Sequence, residues 1–233
     1  MQLPLFYESS LPGEGELILS EENSRHISQV LRITAKEKIQ LTDGRGSLVT
    51  ASISKADKKK AAAVIRQVEN VPQTFPTVTI VICPVKNLQR FEWFLGKAVE
   101  IGVGNIIPIL SERTERAGLK KDRLEKIIIS SMIQSRQVWK TQLGDNIRFE
   151  DFLQSHPDQN KFIAHCEDGE KIGLKKFDGS GTILIGPEGD FTPREISEAI
   201  KFGYQPVTLG TTRLRTETAG IVAAVLLKFL SGH

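Results

Sequence analysis

The sequence predicts an α/β protein in two parts: a small N-terminal β-barrel, then a larger domain built on a parallel sheet. Three observations carry this reading. Residues 1–71 hold short segments of alternating polarity separated by turn signals, as in strands with one wet face. Residues 72–233 hold continuous apolar runs alternating with helical segments, as in strands covered on both faces by crossover helices. Between them, Val71-Pro72-Gln73-Thr74-Phe75-Pro76 carries prolines at 72 and 76, which favours an extended linker and a domain boundary.

In the first part, Ser20 is placed to cap a helix whose apolar stripe is Ile27, Val30 and Leu31. Lys38–Thr42 reads as a strand running into the turn Asp43-Gly44-Arg45-Gly46. Leu48, Thr50, Ser52 and Ser54 interleave with Val49, Ala51 and Ile53 at strand period, and Ala61–Val68 returns after the Lys58–Lys60 tip.

In the second part, the buried strands are expected at Val78–Cys83, Ile106–Leu110, Phe162–Cys166, Thr182–Ile185 and Val207–Leu209. Helices are expected at Phe91–Val99, Asp122–Gln134, Pro193–Phe202 and Glu217–Leu230. The third has a full start signal: Thr192 as cap, Pro193 in the first turn and Glu195 as the acid of a capping box.

Composition narrows the class. The chain has 233 residues, 39% of them hydrophobic, enough for a proper core. No apolar run approaches the roughly 18 residues that cross a bilayer, and the N-terminus lacks a basic start and a long apolar stretch. A cytoplasmic protein with no signal peptide and no membrane partner is expected. Cys83 and Cys166 each end an apolar run and read as buried free thiols in a reducing compartment. No Cys/His cluster has metal-ligand spacing, so no metal is expected. The net charge is +3, yet residues 111–140 carry eight Lys/Arg against four Asp/Glu, while residues 141–233 carry ten against thirteen. That imbalance suggests a patch for a polyanion, although a solvated helix face explains it equally.

In open α/β sheets, ligands sit at the carboxyl ends of the strands. Two loops there stand out: Gly186-Pro187-Glu188-Gly189-Asp190-Phe191, and Leu209-Gly210-Thr211-Thr212-Arg213-Leu214-Arg215-Thr216-Glu217-Thr218-Ala219. The glycines let backbone approach a flat ligand, and Thr216 or Thr218 is placed to cap the last helix with Glu217 near its positive end. Each loop alone also fits an ordinary strand-to-helix connection, with Arg215 and Glu217 as a structural ion pair. No dinucleotide fingerprint, P-loop or hydrolase signature occurs.

Together these two loops resemble the C-terminal signature of the RsmE family, the 16S rRNA uracil-N3 methyltransferases of the SPOUT, or trefoil-knot, class. The resemblance spans nearly the whole chain. His26-x-x-x-Val30-Leu31-Arg32 and Asp43-Gly44-x-Gly46 resemble that family's PUA-like RNA-binding domain. Lys97-Ala98-x-Glu100-Ile101-Gly102-Val103, Pro108-Ile109-x-Ser111-Glu112-Arg113 and Gln134-Ser135 resemble its methyltransferase domain. The resemblance implies a PUA-like domain over residues 1–71, a SPOUT domain over residues 72–233 with a deep knot within about 161–233, and a homodimer paired through the knotted domain. The helix stripe Ile221, Ala224, Val225 and Leu227 suits that interface or the monomer core.

The implied activity is S-adenosylmethionine-dependent methylation of a uridine N3 in the decoding region of 16S rRNA, on the assembled 30S subunit. The implied donor pocket uses Gly186, Glu188, Gly189, Leu209, Gly210, Leu214, Thr216 and Ala219, with His165 as a further wall candidate or a structural histidine. Arg215 is expected to stabilise charge on the uracil oxygens, and Glu217 to act as base or, more modestly, to orient Arg215. Arg136 is the remaining candidate for a catalytic arginine. His26, Arg32, the Lys58–Lys60 tip, Arg113, Arg116, Lys120 and Lys121 are the candidates for holding RNA backbone. The chain departs from the family pattern at Asp190, where glycine is usual. It also departs at Gln134-Ser135-Arg136-Gln137, where the arginine is shifted by one place, roughly 100° around a helix, and near Trp139, where a proline is missing. Two competing readings are a ribose 2′-O methyltransferase of the same fold and a non-catalytic rRNA-binding assembly factor.

Overall fold

The computed structural model describes residues 2–73, 77–115, 118–155, 160–175 and 177–231. Residues 74–76 of the expected linker and the candidate Arg116 lie outside the described residues. The chain divides into two compact units: Met1–Thr74 with Met132–Lys140, and Phe75–Ser131 with Thr141–His233. The segment Met132–Lys140 therefore belongs with the N-terminal residues, although it lies far along the chain.

In the first unit, strands β1 (Leu5–Tyr7), β2 (Glu16–Ile18), β3 (Lys38–Thr42), β4 (Ser47–Lys55) and β5 (Ala62–Asn70) form one sheet in the order β1-β3-β4-β5-β2. Register shifts between Thr50 and Ala51 and between Ile53 and Lys55 mark bulges that bend β4 and curl the sheet. Ile27, Ile39, Leu41, Ala51 and Ala63, all fully buried, fill the space it encloses.

Helix α1 (Glu21–Arg25) starts as the sequence predicts, with the Ser20 hydroxyl accepting from the Asn23 amide. It then widens into a π-helical turn over His26–Val30, closed by the Leu31 amide donating to the His26 carbonyl at 3.0 Å. That extra residue overturns the expected stripe. Ile27 faces the core, but Val30 and Leu31 point outward, 67% and 44% exposed. The Asp43–Gly46 turn receives the Met132–Lys140 segment. Gly46 has φ +95°, and a Cβ there would lie 2.5 Å from the Trp139 ring, so only glycine fits. The indole donates to the Val71 carbonyl at 3.1 Å.

In the second unit, every strand pairing is parallel, through β6 (Val78–Ile82), β7 (Asn105–Leu110), β8 (Gln142–Leu143), β9 (Ile147–Arg148), β10 (Asn160–Ala164), β11 (Ile172–Gly173), β12 (Gly181–Ile185) and β13 (Gln205–Thr208). The order is β11-β13-β10-β12-β6-β7-β8, with β9 also on β7. β6 and β12 are buried at every residue, which explains their unbroken apolar runs. The helices are α2 (Leu88–Ile101), α3 (Lys121–Gln134), which runs on into the first unit's segment, α4 (Phe149–Ser155), α5 (Pro193–Lys201) and α6 (Thr216–Leu230). α4 and the two-residue strands are too short to leave a periodic signal in the sequence.

One core gathers Val81, Ile109, Phe149, Phe152, Leu184, Phe191 and Ile196. α6 packs on α2, β6 and β12. Gly220 permits this approach, since a Cβ would lie 2.6 Å from the Phe94 ring. Ala224 and Leu227, expected at an interface or the core, are fully buried, whereas Ile221 and Val225 are half-buried. No helix among the described residues is long and apolar enough to cross a membrane.

Candidate functional site

Strands β12, β10 and β13 are parallel neighbours, so their carboxyl ends open on one edge of the sheet. The three loops that leave them enclose a cavity of about 690 Å³, within the size range of small-molecule and cofactor sites. His165 and Cys166 come from the first loop, Gly186, Pro187, Glu188 and Asp190 from the second, and Thr208–Arg215 from the third. Thr216 and Ala219, at the start of α6, close it.

Local chemistry shapes each loop. The Thr208 hydroxyl donates to the Gly210 carbonyl at 2.8 Å and accepts from the Gly210 amide at 3.3 Å, folding the third loop tightly. At Gly186 a Cβ would lie 3.1 Å from the Phe191 amide nitrogen, so a side chain there would press on the second loop's own backbone. Asp190 sits at φ +65°, in the left-handed region that glycine favours and aspartate tolerates. Its carboxylate accepts from the Phe191 amide at 2.8 Å and the Cys166 amide at 2.6 Å. The departure at Asp190 thus retains the backbone conformation and ties the second loop to the first.

The placements of the candidates differ. Gly186, Glu188, Leu209, Gly210, Leu214, Thr216, Ala219 and Arg215 line the cavity, and so does His165. Gly189 does not; its carbonyl accepts from Arg113 Nη1 at 2.8 Å, outside the cavity wall. Arg113, expected to hold RNA backbone, is therefore engaged in bracing this loop. Glu217 lies in the first turn of α6, 7% exposed, but it faces Arg90 Nε at 3.8 Å rather than Arg215. The expected threonine caps are absent as well: Arg215 is the cap residue, without a side-chain bond, and Thr216 is already helical. Among the described residues the Arg215 guanidinium has no hydrogen-bond or ion-pair partner, and it opens onto the cavity.

Arg136 belongs to the first unit, at φ +58°. Its guanidinium donates to the Leu3 carbonyl at 2.9 Å and to the Gln40 side chain. The shift in the sequence motif thus accompanies a structural clamp within the first unit. Among the RNA candidates, His26 is exposed and packs edge-on against Phe6 at 5.7 Å, and Arg32 is exposed at φ +54°. Lys120 is exposed, Lys121 pairs with Asp145 at 2.5 Å, and the Lys58–Lys60 tip is exposed around an Asp57 turn.

Two groups in the cavity merit chemical reading. Both ring nitrogens of His165 are buried without a hydrogen-bond partner. A cavity wall with an orphaned imidazole fits a polar ligand that would supply the missing partner. Burial, and next the Lys171 ammonium, hold its pKa below the ordinary 6.5, so the ring is neutral at pH 7. Cys166 corrects the expectation of a buried thiol: it is exposed, because β10 ends at Ala164 and the loop carries it to the cavity mouth. Cys83 is buried as expected, with its pKa raised to about 11 by desolvation. Iodoacetamide applied to the folded chain is expected to alkylate Cys166 and spare Cys83, as read by peptide mass. Comparable labelling of Cys83 would contradict the burial of β6's end. Among the described residues no group of His, Cys, Asp and Glu side chains is arranged to hold a metal ion.

Comparison with known proteins places the chain among relatives. The family model for the RNA methyltransferase domain matches residues 72–228, and that for the RNA methyltransferase PUA domain matches residues 19–66. A ribosomal RNA small subunit methyltransferase E from Mesomycoplasma hyopneumoniae is 32% identical over 168 residues, 69% of this chain and 73% of the relative. The structure of a protein of the same name from Neisseria gonorrhoeae, bound to S-adenosyl methionine, is 30% identical, with a TM-score of 0.88 over 99% of this chain and 98% of that one. The structure of a probable rRNA methyltransferase from Porphyromonas gingivalis is 37% identical, with a TM-score of 0.92 over 98% of each chain.

Proposed function

The chain belongs to the RNA methyltransferase domain family, with the ribosomal RNA small subunit methyltransferase E proteins among its relatives, and from that premise we propose that it methylates N3 of a uridine in the decoding region of 16S rRNA, on the assembled 30S subunit. The observation that carries the reading is the single cavity wall on which an unpaired arginine, Arg215, meets three glycine-bearing or aspartate-tied loops at adjacent strand ends.

S-adenosylmethionine, bound in the cavity, supplies an electrophilic methyl group on a sulfonium sulfur. The chain's residues do the rest. Gly186 and Gly210 would let backbone close on the donor, and Leu209, Leu214, Ala219, Glu188 and Thr216, which line the cavity, would hold it. Neutral His165 gains a hydrogen-bond partner in the ligand. The uracil imide is weakly acidic: N3 would bond to the methyl carbon, the sulfonium sulfur would leave as a neutral thioether, and the N3 proton would pass to solvent water. Arg215 stabilises the negative charge that spreads over the uracil oxygens. Glu217 is held by Arg90, and its part is to fix the start of α6 and Arg90. His26, Arg32 and Lys120 are assigned to the RNA backbone, where single losses weaken binding modestly.

A knotted path over about 161–233, pairing of two chains and a cytoplasmic location complete the reading. In support of the knot, β10 lies between β12 and β13, while the helix that follows β13 returns to pack on β6. Phe229, 81% exposed near the end of α6, supports the homodimer.

Incubation with labelled S-adenosylmethionine and small subunits that lack this modification tests the proposal. Label in 16S rRNA is expected; absence of donor binding would favour the assembly-factor reading, and donor binding without transfer would point to a different RNA or a missing partner. The donor's affinity should also follow His165. The folded site holds its proton less tightly than an unfolded or open one, so whatever depends on the neutral ring is present above pH 6.5 and declines as pH falls through the lowered pKa. Calorimetry should show flat affinity down to pH 6.5 and weakening only as pH falls through the lowered pKa, where an imidazolium would face a cationic donor. His165→Asn should remove that decline. An unchanged pH profile in the variant would take His165 away from the donor.

A further inference from the structure

A second, shallower hollow of about 470 Å³ opens beside the donor cavity, and nothing above gives it an occupant. Gln89, Arg90 and Trp93 reach it from α2, and Arg215 and Glu217 from the start of α6. Arg215 lines both cavities, so the two sites meet at that guanidinium. On α2, Phe91 and Phe94 are fully buried on the inward face, but Trp93 is 52% exposed. The half-exposed indole offers the hollow a large, rigid aromatic surface with an N–H donor. Arg90 is steadied by Glu217 at 3.8 Å, leaving an exposed guanidinium at the rim. The Gln89 side-chain amide adds a neutral donor and acceptor, with its backbone amide already donated to Asn87 Oδ1 at 3.0 Å.

A flat aromatic face, rimmed by two arginines and an amide, matches a planar heteroaromatic with polar edges carried on an anionic chain. We infer that this hollow is the nucleobase subsite: a base of the substrate RNA stacks on Trp93, its edge lies near Gln89, and Arg90 attends the adjoining phosphate. Arg215 then lies on the border that the two hollows share, beside the stacked base. The inference rests on the methyl-transfer reading for the identity of the RNA. An extruded base needs a stacking partner to replace the one it leaves, and Trp93 provides it.

The test uses the full chain, with small subunits as substrate and single-stranded oligouridine as the binding probe. Trp93→Ala should lower kcat/KM for the subunits about ten-fold, mainly through KM, while calorimetric donor affinity stays the same. Trp93→Phe should recover most of the loss, since it restores an aromatic face. Oligouridine should quench tryptophan fluorescence in the native chain, and that quench should vanish in Trp93→Phe although the oligonucleotide still binds. Unchanged kcat/KM in Trp93→Ala would overturn the inference. So would a parallel loss of donor affinity, or conversion of a dimer to a monomer, because either would make Trp93 a packing or interface residue. A native chain that shows Trp93-dependent quenching yet transfers no methyl group would retain the subsite and remove the reaction. Transfer that is indifferent to Trp93 would do the reverse.

Discussion

Arg215→Ala is expected to lower the rate of methyl transfer by about 10²–10³-fold while leaving donor affinity nearly intact. The asymmetry follows from charge. The donor's reacting centre is a sulfonium cation, so an arginine beside the methyl group gains nothing from it. The uracil, by contrast, becomes anionic as its N3 proton leaves, and the guanidinium then gains an attractive partner. Arg215 is suited to this because it spends its charge on no carboxylate among the described residues. The backbone would be spared, since the Arg215 carbonyl still accepts from the Ala219 amide at 2.7 Å. Arg215→Lys should fall between the two, retaining charge but losing the planar fork. Single-turnover rates and calorimetry on the same preparations separate the cases. An equal fall in both quantities would make Arg215 a donor-binding group.

Glu195→Ala is expected to be the most damaging single change to the second unit, by about 3 kcal/mol. The carboxylate is fully buried. It accepts from the Thr192 amide at 2.8 Å, the Thr192 hydroxyl at 3.0 Å and the Glu112 amide at 2.8 Å. Removing it strands three buried or half-buried donors and leaves a void under the loop that follows β12. For a chain of this size that corresponds to a fall in Tm of roughly 6–12 °C. Because Phe191 and Thr192 extend the donor loop, weaker donor binding should accompany it. Calorimetric melting checks the claim; a fall of a degree or two would mean that water replaces the carboxylate freely.

These two residues also show what could be read from the sequence and what could not. The Thr192–Glu195 capping box is a local pattern, and the structure has both of its reciprocal bonds. The bond from Glu112 to the same carboxylate joins residues 83 apart in sequence, and no spacing rule reveals it. Likewise, the strand-end loops carrying Gly186 and Gly210 were visible as unusual glycine-bearing segments. That they share a cavity depends on β10 lying between β12 and β13, which is a fact of strand order rather than of period.

Local patterns misled where side chains obey a longer-range constraint. Val30 and Leu31 fit a helical stripe until a π-turn rotated them outward. Glu217 stands two residues from Arg215, yet it turns to Arg90 on α2. Arg136 was conspicuous as a displaced arginine, but its partners Leu3 and Gln40 come from the far end of the chain. Trp93 was hidden inside an apolar helical segment, since periodicity alone does not distinguish an inward aromatic from an outward one.

The central claim is that the two linked sites transfer a methyl group to a uracil nitrogen. The most direct measurement is nucleoside mass analysis of 16S rRNA after reaction of unmodified small subunits with labelled S-adenosylmethionine. Labelled 3-methyluridine is expected, present with the native chain and lost with Arg215→Ala. Label recovered as a 2′-O-methyl nucleoside, or 3-methyluridine formed equally well without Arg215, would contradict it.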